Sequence, residues 1–269
     1  MKDSRIAARG IVLLGCGKMG SAMLAGWLGQ GLPPASVWVV DPAPSDWVRS
    51  TGVHVNADLP VGPAVVLIAV KPQMMADALP GIAELGGADT VFVSIAAGTP
   101  ISAFEAALGP RAIVRAMPNT PAAVGQGITA ICANAAGAGF LEEAEALLSA
   151  IGDVVRLQDE GQMDAVTGVS GSGPAYVFHL IETMAAAGVA QGLPDALALQ
   201  LAKATVAGAG ALAMQAEDDP GQLRVNVTSP NGTTQAALEV LMDAQRGFPA
   251  LVPEAVAAAT NRSKELARG

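Results

Sequence analysis

Short, continuously apolar runs punctuated by glycine-bearing or polar loops fill the first 157 residues, and long helix-period stretches fill the rest. The first run, Ile11-Val12-Leu13-Leu14, passes through Gly15-Cys16-Gly17-Lys18-Met19-Gly20 into a helix-like segment over 21–28. A second, Ser36-Val37-Trp38-Val39-Val40, ends at Asp41. The third, residues 64–70, is apolar throughout, as a strand covered on both faces of a parallel sheet must be, and it stops at Lys71-Pro72. Two more strands follow: residues 90–95, running into Ala96-Ala97-Gly98-Thr99, and residues 112–116, running into Met117-Pro118-Asn119-Thr120-Pro121. A helical segment over 101–108 separates them, and a strand-like stretch occupies 127–133. This alternation predicts an α/β fold with a doubly wound parallel sheet.

From Gln162 onward no strand pattern recurs, and helical stretches cover 175–191, 194–215, 234–244 and 253–266. The expected organisation is a Rossmann-type dinucleotide-binding domain over 1–160 and an all-helical domain over 161–269. Two islands, 168–174 and 226–234, read as non-helical. The helices are apolar and rich in Gly and Ala, and a domain of this size has too little interior to cover them, so homo-oligomerisation through this half is expected.

The first loop matches G-x-G-x-x-G between a strand and a helix. The first Gly permits the tight turn, the second lets backbone approach a pyrophosphate, and the third lets helix pack on strand. Asp41 stands where a ribose-binding carboxylate belongs, and no arginine follows at once to receive a 2′-phosphate, which favours NADH modestly over NADPH. The alternative for Asp41 is a strand-end turn residue, and for Lys71 an ordinary solvated lysine. The segment 226–234 brings hydroxyls and free N–H groups to a helix start, suited to a small carboxylate; an ordinary Ser/Thr-capped turn is the competing reading.

Composition narrows the partners. Fifteen basic against 24 acidic residues give a net charge of -9, which repels nucleic acid and anionic membrane surfaces alike. Cys16 and Cys132 lie in no C-x-x-C pattern, so no zinc site or disulfide framework is expected, and a cytoplasmic location is the simplest. The four apolar residues before Cys16 are too few for a lipoprotein signal. Residues 201–214 read as too short to span a membrane.

Taken together, the fingerprint, Val70-Lys71-Pro72, Ser94-Ile95-Ala96-Ala97-Gly98, the segment 115–121, the segment 164–176 and the stretch 220–234 resemble pyrroline-5-carboxylate reductase. The resemblance runs in order from residue 11 to about 266. It implies hydride transfer from NADH or NADPH to the C=N carbon of 1-pyrroline-5-carboxylate, a homodimer built on the helical domain, and an active site walled partly by the second subunit. Position by position it implies Gly15, Gly17, Lys18, Met19 and Gly20 on the dinucleotide phosphates, with Asn56, Ala69, Val70, Lys71, Pro72 and Ala97 along the cofactor. It implies Ser229, Asn231, Gly232 and Thr233 around the substrate carboxylate, Thr234 beside the imine nitrogen as the catalytic residue, and Glu160, Glu217 and Asn226 approaching the ring. The family often carries two glycines after Ser-Pro; here the pair is Asn231-Gly232.

The chemistry agrees with what the sequence lacks. His54 and His179 sit in no catalytic-looking cluster, and an imine, unlike a ketone, can be protonated before hydride arrives. Three rivals stay open at this level: a reductase of another cyclic imino acid, a β-hydroxyacid dehydrogenase-like reductase needing a lysine where only Lys203 and Lys264 stand, and a non-catalytic NAD-binding regulator.

Overall fold

In the computed structural model, residues 5–267 are described. Helix α1 (Arg5–Arg9) precedes β1 (Ile11–Leu14), α2 (Lys18–Gly29), β2 (Val37–Val40), α3 (Asp46–Ser50), β3 (His54–Val55), β4 (Val65–Ile68), α4 (Met75–Ala78) and β5 (Val91–Ser94). Next come α5 (Ile101–Leu108), β6 (Ala112–Met117), β7 (Gly127–Ala133), α6 (Leu141–Leu148), β8 (Gly152–Arg156) and α7 (Met163–Val166). The remainder is helical: α8 (Gly173–Ala190), α9 (Asp195–Gln215), α10 (Pro220–Asn226), α11 (Thr233–Leu241) and α12 (Phe248–Leu266).

All eight strands form one sheet in the order β3-β2-β1-β4-β5-β6-β7-β8. Strands β1, β4 and β5 are buried at every position, which is why they read as unbroken apolar runs. One expectation is corrected: β7 pairs antiparallel to β6, Arg115 facing Cys132, so the sheet is mixed at this edge. An apolar run reveals a buried strand but not its direction.

The chain divides into two compact units, one ending at Gly171 and resumed from Ala259, the other Ser172–Ala258. This differs from the expected division at 160/161. The segment 161–171 belongs with the sheet unit, Met163 being part of its core. The C-terminal turns of α12 belong there too: buried Ser263 donates to Asp164 Oδ1 at 2.7 Å.

The expected island at 168–174 is also corrected. Residues 167–171 form a π-type helical turn leading into α8, with Pro174 in its first turn. Its glycines have no positive φ. Gly171 serves close packing instead, since a Cβ there would lie 2.6 Å from Met117 Cε. Helix α12 starts before the expected 253, and Pro253 lies inside it. Helix α9 extends beyond 201–214 to 21 residues, long and apolar enough by length and composition to cross a membrane. Among its residues Ala198 and Ala202 are buried within the chain.

Candidate functional site

In the sheet unit, four adjacent parallel strands end at one edge, where β1 lies between β2 and β4 and the strand order reverses, the place where open α/β sheets bind ligands. Backbone hydrogen bonds knit the strand ends together: Gly15 N–H donates to Val40 O at 2.8 Å, Ala69 N–H to Leu14 O at 2.8 Å and Ile95 N–H to Ile68 O at 3.0 Å. The fingerprint, Asp41, the segment 69–72 and Ala97 therefore share one edge.

The three fingerprint glycines answer to different constraints. Gly15 has φ +89° and a Cβ there would meet Ala69 O and Val70 Cγ1 at 2.9 Å, so the turn itself demands glycine. A Cβ on Gly20 would lie 2.6 Å from Gly15 O, so helix packing demands it. Gly17 is different. It N-caps α2 at φ -69°, ψ -159°, a conformation open to any residue, and its Cβ would meet nothing within 4 Å. The fold gives no reason for this glycine, whereas an anion approaching the helix N-terminus does, because no side chain caps the first-turn N–H groups. These residues fit a dinucleotide pyrophosphate.

Asp41 is held tightly. Its Oδ2 accepts from Cys16 N–H at 2.6 Å and its Oδ1 from Ala43 N–H at 2.8 Å. Asn56, at φ +49°, accepts from Asp41 N–H through Oδ1 at 3.0 Å and donates Nδ2 to Asp41 O at 2.8 Å. Lys18, Lys71, Pro72 and Ala97 are exposed at the edge, while Met19 and Ala69 are half-buried and Val70 buried. The Cys16 thiol within the loop is pushed above its ordinary value by burial, partly offset by its contact with Ser21 and reinforced by Asp41.

Glu160 is committed inward. Its Oε1 accepts from Arg115 Nη1 at 2.6 Å and from the Ile101 N–H, at the start of α5, at 2.8 Å. Arg115, 5% exposed, carries no warning in the sequence beyond being a charge inside an apolar strand.

In the helical unit the candidate site is the loop between α10 and α11. Asp219 N-caps α10 by accepting from Gly221 and Gln222 N–H at 2.8 and 3.1 Å. Asn226 closes it, accepting from Gln222 Nε2 at 2.8 Å and donating to Asp218 Oδ2 at 3.1 Å. Glu217 is exposed just upstream. In the loop, Gly232 N–H donates to Ser229 O at 3.0 Å and Asn231 N–H to Gln235 Oε1 at 2.7 Å. The left-handed position is Asn231, at φ +58°, and not Gly232, at φ -88°. Asparagine tolerates that region. At 232 a Cβ would lie 3.1 Å from Ser229 O, a tight approach that the loop backbone would have to ease by a few tenths of an ångström. No side chain caps α11. Its first-turn N–H groups, with the hydroxyls of Ser229, Thr233 and Thr234, are thus available to a carboxylate. His179 pairs with Glu182 at 3.0 Å on α8, both exposed, an ordinary helix pair.

Residues 160–266 match the family model described as pyrroline-5-carboxylate reductase dimerisation, and residues 10–98 match NADP oxidoreductase coenzyme F420-dependent. The chain is 43% identical over 265 residues to the pyrroline-5-carboxylate reductase of Pseudomonas aeruginosa, covering 96% of each, and 36% identical to that of Escherichia coli, covering 96% of this chain and 98% of the relative. A pyrroline-5-carboxylate reductase from Coxiella burnetii has a similar structure: TM-score 0.90, 32% identity, 97% of this chain and 99% of that one covered. The Plasmodium falciparum pyrroline carboxylate reductase, solved with NADP bound, follows at TM-score 0.82 and 27% identity over 96% and 98%.

Proposed function

The chain belongs to the pyrroline-5-carboxylate reductase family, whose members are NAD(P)H-dependent oxidoreductases, and from that premise we propose how its own residues reduce 1-pyrroline-5-carboxylate to L-proline. The observation that carries the cofactor half is Gly17, whose missing side chain leaves open space over an uncapped helix start. Bound NADH or NADPH supplies the hydride that adds to the C=N carbon. Gly15, Gly17, Lys18, Met19 and Gly20 hold the pyrophosphate; Asn56, Ala69, Val70, Lys71, Pro72 and Ala97 line the rest. Asp41, fixed as an acceptor-only carboxylate at the strand end, receives ribose hydroxyls and repels a 2′-phosphate, so NADH is favoured over NADPH.

Ser229, Asn231, Gly232 and Thr233 receive the substrate carboxylate at the start of α11, where N–H groups and the helix dipole favour an anion. Thr234 directs its hydroxyl to the ring nitrogen, which is already protonated from solvent when the hydride reaches the carbon, so that C=NH⁺ becomes CH–NH. Glu217 and Asn226 flank the ring. A positioned strong acid is not required, because the imine nitrogen is already basic; positioning supplies the catalysis. Homodimerisation fits the helical unit, where 172–258 buries few apolar side chains beyond Ala198 and Ala202. A groove of about 760 Å³ lined by Phe178, Ile181, Val189 and Leu199 lies open along α8 and α9. The acidic balance argues against nucleic-acid and anionic-membrane partners, and the two free cysteines suit a reducing cytoplasm.

The test is steady-state kinetics on Thr234→Ala. Losing a hydrogen bond that strengthens during reduction should lower kcat/KM roughly 10- to 100-fold while the NADH Kd stays put. Unchanged kcat/KM refutes the role of Thr234.

A further inference from the structure

The six residues between β5 and α5 carry Ala97 on the cofactor edge, and they are pinned at both ends. Ile95 N–H donates to Ile68 O at 3.0 Å and Ala96 N–H to Ser94 Oγ at 3.2 Å. Midway, Gly98, at φ +71°, has Leu266 Cβ 3.0 Å from where its own Cβ would be. At the far end α5 has no side-chain cap of its own, since Pro100 occupies that position. The missing acceptor comes from 59 residues away, as Glu160 Oε1 on the Ile101 N–H. The same oxygen is gripped by the Arg115 guanidinium from inside the sheet.

We propose that Arg115 is a positioning residue for the cofactor wall: by holding Glu160 against the Ile101 N–H it fixes the end of the loop that presents Ala97. The two partners differ in exposure. The Arg115 side chain is 5% exposed and that of Glu160 32%. The buried cation is therefore the fixed point and the carboxylate the part that would swing. An anion at an otherwise uncapped helix start also suits the dipole. The inference rests on the proposed placing of the cofactor along this edge. It gives Glu160 a different task from the ring contact implied by resemblance, since its Oε1 already bridges two donors.

The experiment measures NADH binding directly, by fluorescence titration of the intact enzyme, alongside separate KM values for NADH and 1-pyrroline-5-carboxylate. Binding does not depend on which imine is reduced, so a wrong substrate assignment would show as absent turnover with binding intact in the unmodified enzyme. Glu160→Ala, which deletes the acceptor, is expected to weaken NADH binding about tenfold. Glu160→Gln keeps a carbonyl acceptor for Ile101 N–H and is expected to restore binding to within about threefold. Arg115→Lys replaces the guanidinium fork by a shorter point charge, releasing Glu160; NADH binding should weaken about fivefold with kcat little changed. Unfolding curves identify any variant that fails to fold, and the other two then decide. The proposal is overturned if NADH binding is unchanged in the folded Glu160→Ala and Arg115→Lys variants, or if Glu160→Ala raises the KM for 1-pyrroline-5-carboxylate while leaving NADH binding intact.

Discussion

Gly17 and Gly20 lie three residues apart, one N-capping α2 and the other in its first turn, yet they should fail in opposite ways when replaced by alanine. At Gly17 the backbone angles are ordinary and the Cβ meets nothing. The entropy lost from the unfolded chain would stabilise the folded state by about 0.4–1 kcal/mol, and alanine's poorer N-cap preference offsets most of it, leaving Tm within about 2 °C. The methyl group would instead stand over the uncapped N–H groups of α2. Displacing a pyrophosphate from one charge-assisted hydrogen bond costs about 1.5–3 kcal/mol, which is roughly a 10- to 150-fold rise in the NADH Kd. At Gly20 the Cβ lies 2.6 Å from Gly15 O, backbone against a position that cannot move without opening the turn. Overpacking there should cost about 1–3 kcal/mol and lower Tm by roughly 3–10 °C. Thermal unfolding and NADH fluorescence titration on the two variants separate the effects. If Gly17→Ala bound NADH as the parent does, or unfolded together with Gly20→Ala, the assignment of this loop to a pyrophosphate would be wrong.

Asp41→Ser removes the carboxylate said to repel a 2′-phosphate, so the ratio of kcat/KM for NADPH over NADH should rise about tenfold; an unchanged ratio would remove Asp41 from cofactor choice. Burial, then Glu160, push the Cys132 thiol from its ordinary 9.0 up to about 11, with Arg115 pulling the other way. The unfolded thiol ionises first. Its contribution to stability is thus full below pH 9, and about 2 kcal/mol is lost as pH rises towards 11; Cys132→Ala should flatten that part of the pH–stability curve, and an equally steep decline would refute the assignment. Leu201, 48% exposed on α9, should be covered in a dimer. Leu201→Glu is therefore expected to shift sedimentation towards monomer, and an intact dimer would place the interface elsewhere.

The sheet edge was legible because burial on both faces of β1, β4 and β5 leaves runs that nothing polar interrupts, and because the fingerprint glycines mark the first turn. Short edge strands gave no such signal. Strand β3 is two residues long, with His54 exposed and its ring stacked on Trp38 at 4.5 Å, and β8 is mostly exposed. The glycines at 168 and 171 suggested a loop because composition cannot distinguish glycine needed for a turn from glycine needed for contact. The role of Arg115 is hidden from the sequence for a related reason. Its meaning lies in a carboxylate 45 residues away, and no local spacing encodes that pair. The loop after α10 was readable as a motif, while the assignment of its positive φ to Asn231 required the backbone itself.

The two units differ in what holds them, and that difference bears on function. The sheet unit has apolar cores on both faces of its strands, anchored by Trp27, Phe92 and Phe104, all fully buried. Such a core justifies a stable platform for a cofactor. The helical unit leaves Val177, Phe178, Leu199, Leu201, Leu212, Met214, Leu241 and Met242 exposed. Apolar exposure on that scale suits an interface rather than a solvated exterior. For an obligate dimer, helix order and subunit association are a single equilibrium. The loop that would clamp the substrate lies between two of those helices, α10 and α11. In a homo-oligomer its geometry, with Asn231 in the left-handed region, would draw stability from association as well as from the helical unit's own interior. The same argument explains why α9 meets the length and apolarity of a membrane span: a helix covered by a partner subunit faces apolar surroundings over most of its circumference.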